Sequence, residues 1–454
     1  MKQGGMAQMK QICDLRSYLE VLREHGRLAV VDREVDWRYE LGSVLATLES
    51  QGQRGGLFTR IKEKEGSVCG GLLGSMDNIA LALGCGKQEI TERLEQCLER
   101  PVRPRVVEHA PCQEHVITGA DIDLTRLPVP IHAPLDGGPI ITGGVVVSRA
   151  LDGRAQNLSF QRMHIKSRDK LSIFINEWRH LKEFYEEAEG QGRPLPIAVV
   201  IGADPVVYIG AGLRYAGDEL EVAGAIRGGP VDVVKCVTSD VLVPATAEYV
   251  IEGEILPGLR EPEDGPLGEF TGHYSKPWDV PVLQVKAITH RDAPIYQTIN
   301  GASFEHVVLG NVIPREPLLK KFTTYVSSGV RDVHLPPYGS GFLAIIQVKK
   351  SNPGEPKNIA LAAMVSYVNI KNVIVVDEDV DIYDPADVMW AVSNRVVPER
   401  DIFYVPNSQG HELDPCSDER GMQTKMGIDA TLSESSRCLQ RVRYPKVSLA
   451  DYGV

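Results

Sequence analysis

The eight cysteines of this chain, Cys13, Cys69, Cys85, Cys97, Cys112, Cys236, Cys416 and Cys438, include no Cys-x-x-Cys pair. That spacing argues against a zinc ribbon or a thioredoxin-type redox motif. A chain of 454 residues does not need disulfides to hold a core, so the thiols are expected to be buried or idle in a reducing compartment. No run of about 18 apolar residues exists, so no membrane-spanning segment is expected. The first residues, MKQGGMAQMKQ, lack the apolar stretch of a secretory signal, and the expected location is cytoplasmic. Positive charge is in short supply: the net charge is −12, which argues against a broad nucleic-acid footprint. An anionic substrate would need local Arg, Lys or metal. Internal repeats and low-complexity segments are absent, and neither Gly143-Gly144 nor Gly210-Ala-Gly212 matches a dinucleotide fingerprint or a P-loop.

What is present is ordinary globular composition, 43% hydrophobic and 24% charged, over a length that implies two or three domains. Asp14 can cap a helix whose face is Leu15, Tyr18, Leu19 and Leu22, closed at Gly26. A strand at 28–31, a helix carrying Leu41, Val44, Leu45 and Leu48, a strand at 56–61 and a helix at 77–83 continue an α/β alternation to about residue 105. Then the texture turns β-rich. Segments 140–148, 196–201, 231–237 and 282–289 read as strands of a barrel, with a helical insertion at 178–188. Beyond about residue 306 α/β alternation returns, with strands at 342–348 and 373–376 and a helix from Pro385.

One stretch stands out. Residues 261–274 read Glu-Pro-Glu-Asp-Gly-Pro-Leu-Gly-Glu-Phe-Thr-Gly-His-Tyr. Glu263, Asp264 and Glu269 share a segment broken by Gly265, Pro266, Gly268 and Gly272, which predicts a tight loop rather than a helix or a regular central strand. Such a loop can hold carboxylates for general-acid work, or be a solvated acidic turn.

Two further stretches decide between these. One is Asn157-Leu-Ser-Phe-Gln-Arg162, followed by Trp178-Arg179-His180. The other runs from Gly217-Asp218-Glu219 through Arg-Gly-Gly-Pro230 to Ala-Thr-Ala-Glu248. In this order, with the acidic loop, they resemble the UbiD family of decarboxylases, which use prenylated FMN. The resemblance runs from Asp14-Leu-Arg16 to Thr424-Lys-Met-Gly-Ile-Asp-Ala-Thr431.

The resemblance implies an α+β, multi-domain fold: an N-terminal α/β domain (1–110), a central split β-barrel that binds the flavin (111–305) and a C-terminal α/β and oligomerisation domain (306–454). It implies that Asn157, His180 and Glu219 hold a divalent metal, Mn²⁺ or Mg²⁺, against the flavin phosphate. Amide oxygen, imidazole and carboxylate are a donor set suited to such an ion, although their spacing fits no local ligand motif. Gln161, Arg162 and Arg179 are implied as further flavin contacts, and K⁺ is implied on backbone carbonyls of a loop within 208–212. Arg162, Asp264 and Glu269 match the family's catalytic arginine and two acids. Asp264 stands where glutamate is common, and Leu267 where an aromatic is frequent. Pairing with Arg162 would keep Asp264 ionised, while Glu269 in an apolar pocket could hold a proton.

Within 300–317, His306 and Arg315 are similar to the His and Arg that bind a distal carboxylate in furan-2,5-dicarboxylate decarboxylases, and Asn300 is a second polar candidate. His306 would add charge only when protonated. The implied reaction is reversible, non-oxidative decarboxylation of a (hetero)aromatic acid through a covalent adduct with the prenylated FMN. The best match is furan-2,5-dicarboxylate going to furan-2-carboxylate plus CO₂. The alternatives are a benzenoid acid such as a hydroxybenzoate, or a flavin carrier without turnover. A flavin prenyltransferase is implied as cofactor supplier, and a homo-oligomer, dimer or hexamer, as the assembly.

Overall fold

The computed structural model describes residues 12–52, 54–175 and 180–433, with a few positions between 441 and 448. The first helix, Leu15–Glu24, starts as the sequence requires: Asp14 accepts from the Ser17 N–H and buries Leu15, Tyr18, Leu19, Val21 and Leu22 beneath it. The strand Leu28–Val31 follows and pairs in parallel with Gly55–Phe58, which is antiparallel to Ser67–Gly70. The fourth strand of this sheet, Ile295–Thr298, arrives from far along the chain and pairs in parallel with Ser67–Gly70.

The central sheet has nine strands. Its path runs from Ile140–Ile141 through Met163–Ile165, Lys170–Ile173, Trp278–His290, Tyr249–Asp264, Leu195–Ile201 and Gly144–Arg149 to Gln156–Phe160. His115–Thr118 adds to Trp278–His290. The first and next-to-last strands of the path, Ile140–Ile141 and Gly144–Arg149, are separated by two residues of chain, so the sheet curls back on itself as a split barrel. Inside lie Val146, Ile197, Val199, Ile251 and Leu283. The expected α+β fold with a central split β-barrel is therefore present.

Three elements differ from expectation. Asp232–Lys235, expected as a barrel strand, pairs instead with Leu242–Pro244 and Arg105–Val106 in a separate three-stranded sheet. The strand Tyr249–Asp264 continues through Glu261 and Pro262, where a loop was expected. It keeps its partner Trp278–His290 by slipping register between Ile255 and Arg260 and again between Glu261 and Asp264, ending with Asp264 opposite Trp278. Such irregularities let a proline, which has no N–H to donate, sit in a paired strand. Residues 208–212 are not a loop either. They complete the helix Pro205–Gly212, capped by Asp204, so any carbonyls offered to K⁺ there would be those of a helix C-terminus.

The described residues through Pro317, with Pro337–Gly341 and Leu413–Pro415, form one compact unit, and the rest forms a second. The second unit is built on a sheet ordered Val330–His334, Leu343–Val348, Asn372–Asp377, Met422–Asp429, Ile402–Gln409. The helix Glu355–Ser366 packs on it, and Lys425 donates to the carbonyls of Met364 and Val368 near that helix's end. No described helix is long and apolar enough to cross a membrane. The seven cysteines described are all free.

The outermost resembling motifs have a structural use. Arg16 grips Glu248 with two hydrogen bonds of 2.8 Å, and Arg291 lies 3.3 Å from the same carboxylate and 3.1 Å from Asp14. Glu248 is fully buried, and its loss would leave Arg16 with the Asp292 and Ala293 carbonyls and Arg291 with Asp14, each without its buried carboxylate. Breaking a buried ion pair from one side costs about 3–5 kcal/mol, and the partial exposure of Arg16 puts Glu248→Ala near the lower figure. Urea unfolding should register that loss. A loss below about 1 kcal/mol is what a solvated surface pair gives, and would mean that the network is not buried in solution.

Candidate active site

Arg162 sits in the turn that joins Gln156–Phe160 to Met163–Ile165. Its guanidinium lies over the Phe174 ring, 4.5 Å from the centroid, so its direction is fixed by packing. One edge donates from Nη1 to Glu269 Oε1 at 2.5 Å and to Ser275 Oγ at 2.8 Å. The Nε side faces Asp264 Oδ2 at 3.3 Å, close enough for charge attraction but not aligned for a hydrogen bond. Asp264 is fixed instead through Oδ1, which accepts from Ser172 Oγ at 2.7 Å. The three residues expected to act together are thus one cluster, with a single cation between two carboxylates.

The two acids sit differently. Asp264 is a strand-end residue, 1% exposed, held by a serine and a nearby cation. Glu269 lies on the loop beyond the strand, whose backbone closes by Glu269 N–H to His273 carbonyl and Gly272 N–H to Glu269 carbonyl. Burial pushes the Glu269 carboxyl above its ordinary range, and the charge of Asp264 pushes the same way, against the charge and hydrogen bond of Arg162. A proton can therefore reside on Glu269 at a pH where an exposed carboxyl has lost it.

A second cluster forms on Gln156–Phe160. Asn157 Nδ2 donates to Glu219 Oε1 at 2.8 Å, and the Leu158 N–H donates to Glu219 Oε2 at 2.7 Å. Glu219 opens the helix Glu219–Arg227, behind an Asp218 cap. Burial pushes it up to about 8 and Asp218 up to about 6, so without a cation Glu219 is an uncomfortable charge. Asn157 Oδ1 is buried without a partner. His180, half-buried, opens the helix His180–Gly190, which packs beside Gln156–Phe160, but it makes no described contact with Asn157 or Glu219. Two of the three expected metal ligands meet, and the third is on the neighbouring helix. Gln161 is buried, 3.3 Å from Ser159 Oγ. Trp178 and Arg179 lie outside the described residues.

His306 lies in the short helix Phe304–Val307, capped by Ser303, and its ring meets Phe270 edge to face at 6.3 Å. Phe270 directly follows Glu269, so His306 is beside the acid-bearing loop. Burial, helped by the charge of Arg162, pushes His306 down to about 4. Burial thus disfavours the protonated form through which His306 was expected to add charge. A π-helical turn, Val308–Val312, follows, and then Arg315, which is 8% exposed. Asn300 donates to the Gly42 carbonyl at 2.8 Å, while its Oδ1 is buried without a partner.

Sequence reasoning missed Ser172, Phe174 and Ser275, which orient Asp264 and Arg162, because isolated serines in a strand or loop carry no pattern. It also missed Glu305. This fully buried carboxylate accepts from the N–H groups of Gly71 and Leu73 at 2.8 and 2.7 Å, is pushed up to about 7, and anchors the helix that carries His306.

Comparison with known proteins gives one family along the chain. Models of the 3-octaprenyl-4-hydroxybenzoate carboxy-lyase match its N-terminal domain at residues 19–98, its Rift-related domain at 105–303 and its C-terminal domain at 308–430. Over 438 residues the chain is 34% identical to anhydromevalonate phosphate decarboxylase of Methanothermobacter thermautotrophicus (strain Delta H), covering 94% of this chain and 99% of that one. Among solved structures it is similar to the UbiD-class enzyme HmfF from Pelotomaculum thermopropionicum in complex with FMN, at 40% identity and a TM-score of 0.92, covering 97% of this chain and 100% of that one. An evolved dimeric form of HmfF is solved in complex with prFMN; it is 38% identical with a TM-score of 0.88, at the same coverage. The apo 3,4-dihydroxybenzoic acid decarboxylase (AroY) of Klebsiella pneumoniae is 32% identical with a TM-score of 0.91, covering 97% and 99%.

Proposed function

Because the chain belongs to the UbiD family of carboxy-lyases and is a decarboxylase, we propose that it removes one carboxylate from a small heteroaromatic diacid, furan-2,5-dicarboxylate, with a prenylated FMN held beside Arg162. The observation that carries this reading is the guanidinium of Arg162 between Asp264 and Glu269, with the buried Arg315 and His306 following in the same unit. The residues present fit the cofactor. Asn157 Oδ1 and Arg162 Nη2 are buried polar atoms without partners, and such atoms are costly unless a bound group completes them. Asn157 and Glu219 offer hard oxygen donors to a divalent cation on the flavin phosphate, with His180 as the third ligand.

Bound there, a prenylated flavin supplies the electron sink that an aryl carboxylate lacks. The chain's own residues do the rest. Arg162 holds Glu269 in place and offsets the charge of Asp264. Asp264 keeps that guanidinium from swinging away. As CO₂ leaves, the electron pair of the broken C–C bond takes the proton of Glu269 at the same ring carbon, and the carboxylate so formed stays paired with Arg162. Arg315 meets the carboxylate that is retained.

Removing one partner of a charge-assisted pair in a dry pocket costs roughly 2–5 kcal/mol. Arg315→Ala should raise KM for furan-2,5-dicarboxylate by about ten-fold or more, while decarboxylation of the monoacid pyrrole-2-carboxylate, which lacks the second charge, changes little. The test is the ratio of kcat/KM for the two acids in wild type and variant. An unmoved ratio would remove Arg315 from the substrate, and with it the diacid. His306 gives a second check. A histidine held down at about 4 is neutral above that value and charged only below it. KM for the diacid should thus show no step near the ordinary histidine range of about 6.5, and a step there that vanishes in His306→Asn would contradict the buried, neutral assignment.

A further inference from the structure

A strap of chain at residues 132–138 touches the acid-bearing loop at three points. The Gly137 N–H donates to the Pro266 carbonyl at 2.8 Å, the Leu135 N–H to the Tyr274 hydroxyl at 3.4 Å, and the Gly268 N–H to Asp136 Oδ1 at 3.4 Å. The other carboxylate oxygen of Asp136 accepts from the Ala133 N–H at 2.9 Å, and the Asp136 N–H returns to the Ala133 carbonyl at 3.1 Å, so the strap folds around its own aspartate. The fit is too close for side chains. A Cβ at Gly137 would lie 2.1 Å from the Gly265 carbonyl oxygen, and on the far side of the loop a Cβ at Gly301 would lie 2.4 Å from the Gly268 carbonyl oxygen. Gly268, the residue before Glu269, is therefore held between the strap and the chain at 301.

We propose that Asp136 is a positioning residue for Glu269: its carboxylate fixes the Gly268 N–H, and through that peptide sets where the Glu269 carboxyl stands relative to Arg162. The inference rests on Glu269 being the acid. The Gly265-Pro-Leu-Gly268 backbone has few internal bonds of its own, Ser275 tying it at Leu267 and the strap on the other side. Without Asp136 the Gly268 N–H loses its side-chain acceptor, and the loop keeps the strap's bonds from Gly137 and Leu135 and the Ser275 ties at Leu267. The chemistry tolerates little slack, because misplacement by about 1 Å can cost on the order of a hundred-fold in rate.

The test uses Asp136→Ala in the flavin-loaded enzyme, prepared with a co-expressed flavin prenyltransferase and assayed for CO₂ release from furan-2,5-dicarboxylate. The expected result is a fall in kcat of about ten-fold or more with KM within about two-fold, since substrate contacts are untouched. Amide hydrogen exchange in residues 265–274 of the flavin-free protein should speed up in the same variant, a readout that needs no substrate. Wild-type kcat, or unchanged exchange in that loop, would overturn the proposal. If Asp136→Ala does not accumulate folded, Gly137→Ala replaces it. This variant keeps the carboxylate and drives a methyl group against Gly265, so the same fall in kcat is expected and wild-type kcat is contrary. Glu269→Gln in the same assay separates the two assignments. Full activity there removes the acid itself, whereas an inactive Glu269→Gln beside a fully active Asp136→Ala removes only the positioning role.

Discussion

Glu269→Gln is expected to keep its flavin and its metal and to lose turnover by at least about a hundred-fold, the usual scale for a positioned general acid. The amide matches the carboxyl in size and can still accept from Arg162 Nη1, so the cluster that holds it at 2.5 Å survives in shape. What it cannot do is give up a proton to carbon. Burial raises the Glu269 carboxyl, which suits the proposed acid, while Asp264, fixed by Ser172 and facing Arg162, is the proposed electrostatic partner. Exchange with D₂O of the product's hydrogen at the vacated ring carbon should fail together with CO₂ release. If Glu269→Gln turns over normally, the acid is elsewhere, and Asp264 is the next residue to replace.

The other large effect is expected at the second cluster. Glu219→Ala should empty the protein of flavin, read by its visible absorbance after purification, and of divalent metal, read by elemental analysis. The side chain is 3% exposed and anchored by Asn157 and the Leu158 N–H, and the proposed cation is what would offset its buried charge. A flavin phosphate carries two negative charges into an acidic protein, and the proposed bridging cation would offset them. His180→Ala should lose flavin as well if its imidazole turns toward the pair. Undiminished flavin in both variants would sink the metal assignment while leaving Arg162 and its acids untouched.

Much of the fold follows from local pattern. Asp14, the apolar spacing after it and Gly26 mark the first helix, and the apolar run within Leu195–Ile201 marks a central strand. What escaped was decided at a distance or had no period. The strand Tyr249–Asp264 runs through Pro262 because a long partner, Trp278–His290, pairs with it on both sides of the irregularity. The helix Pro205–Gly212 is buried on nearly every side, so it shows no amphipathic stripe to find. Ile295–Thr298 gives no sign in its own residues that it will pair with a strand more than two hundred positions earlier.

The candidate site divides in the same way. Arg162, Asp264 and Glu269, and Asn157 with Glu219, are legible because they stand in long resembling motifs, and the fold brings each set together. Ser172, Ser275 and Asp136 hold those groups in place from scattered positions, where a single polar residue looks like any other. His306 was legible as a position, but the burial that pushes its pKa down is a property of the folded pocket alone.

The decisive measurement uses the wild-type enzyme purified from cells that also make a flavin prenyltransferase, with the bound flavin identified by mass spectrometry. Mixed with furan-2,5-dicarboxylate in D₂O, it should release CO₂ and leave furan-2-carboxylate with one deuterium at the vacated ring carbon. Prenylated flavin bound in full, with no CO₂ from this diacid and rapid release from 3,4-dihydroxybenzoate instead, would contradict the diacid assignment and leave a decarboxylase of benzenoid acids.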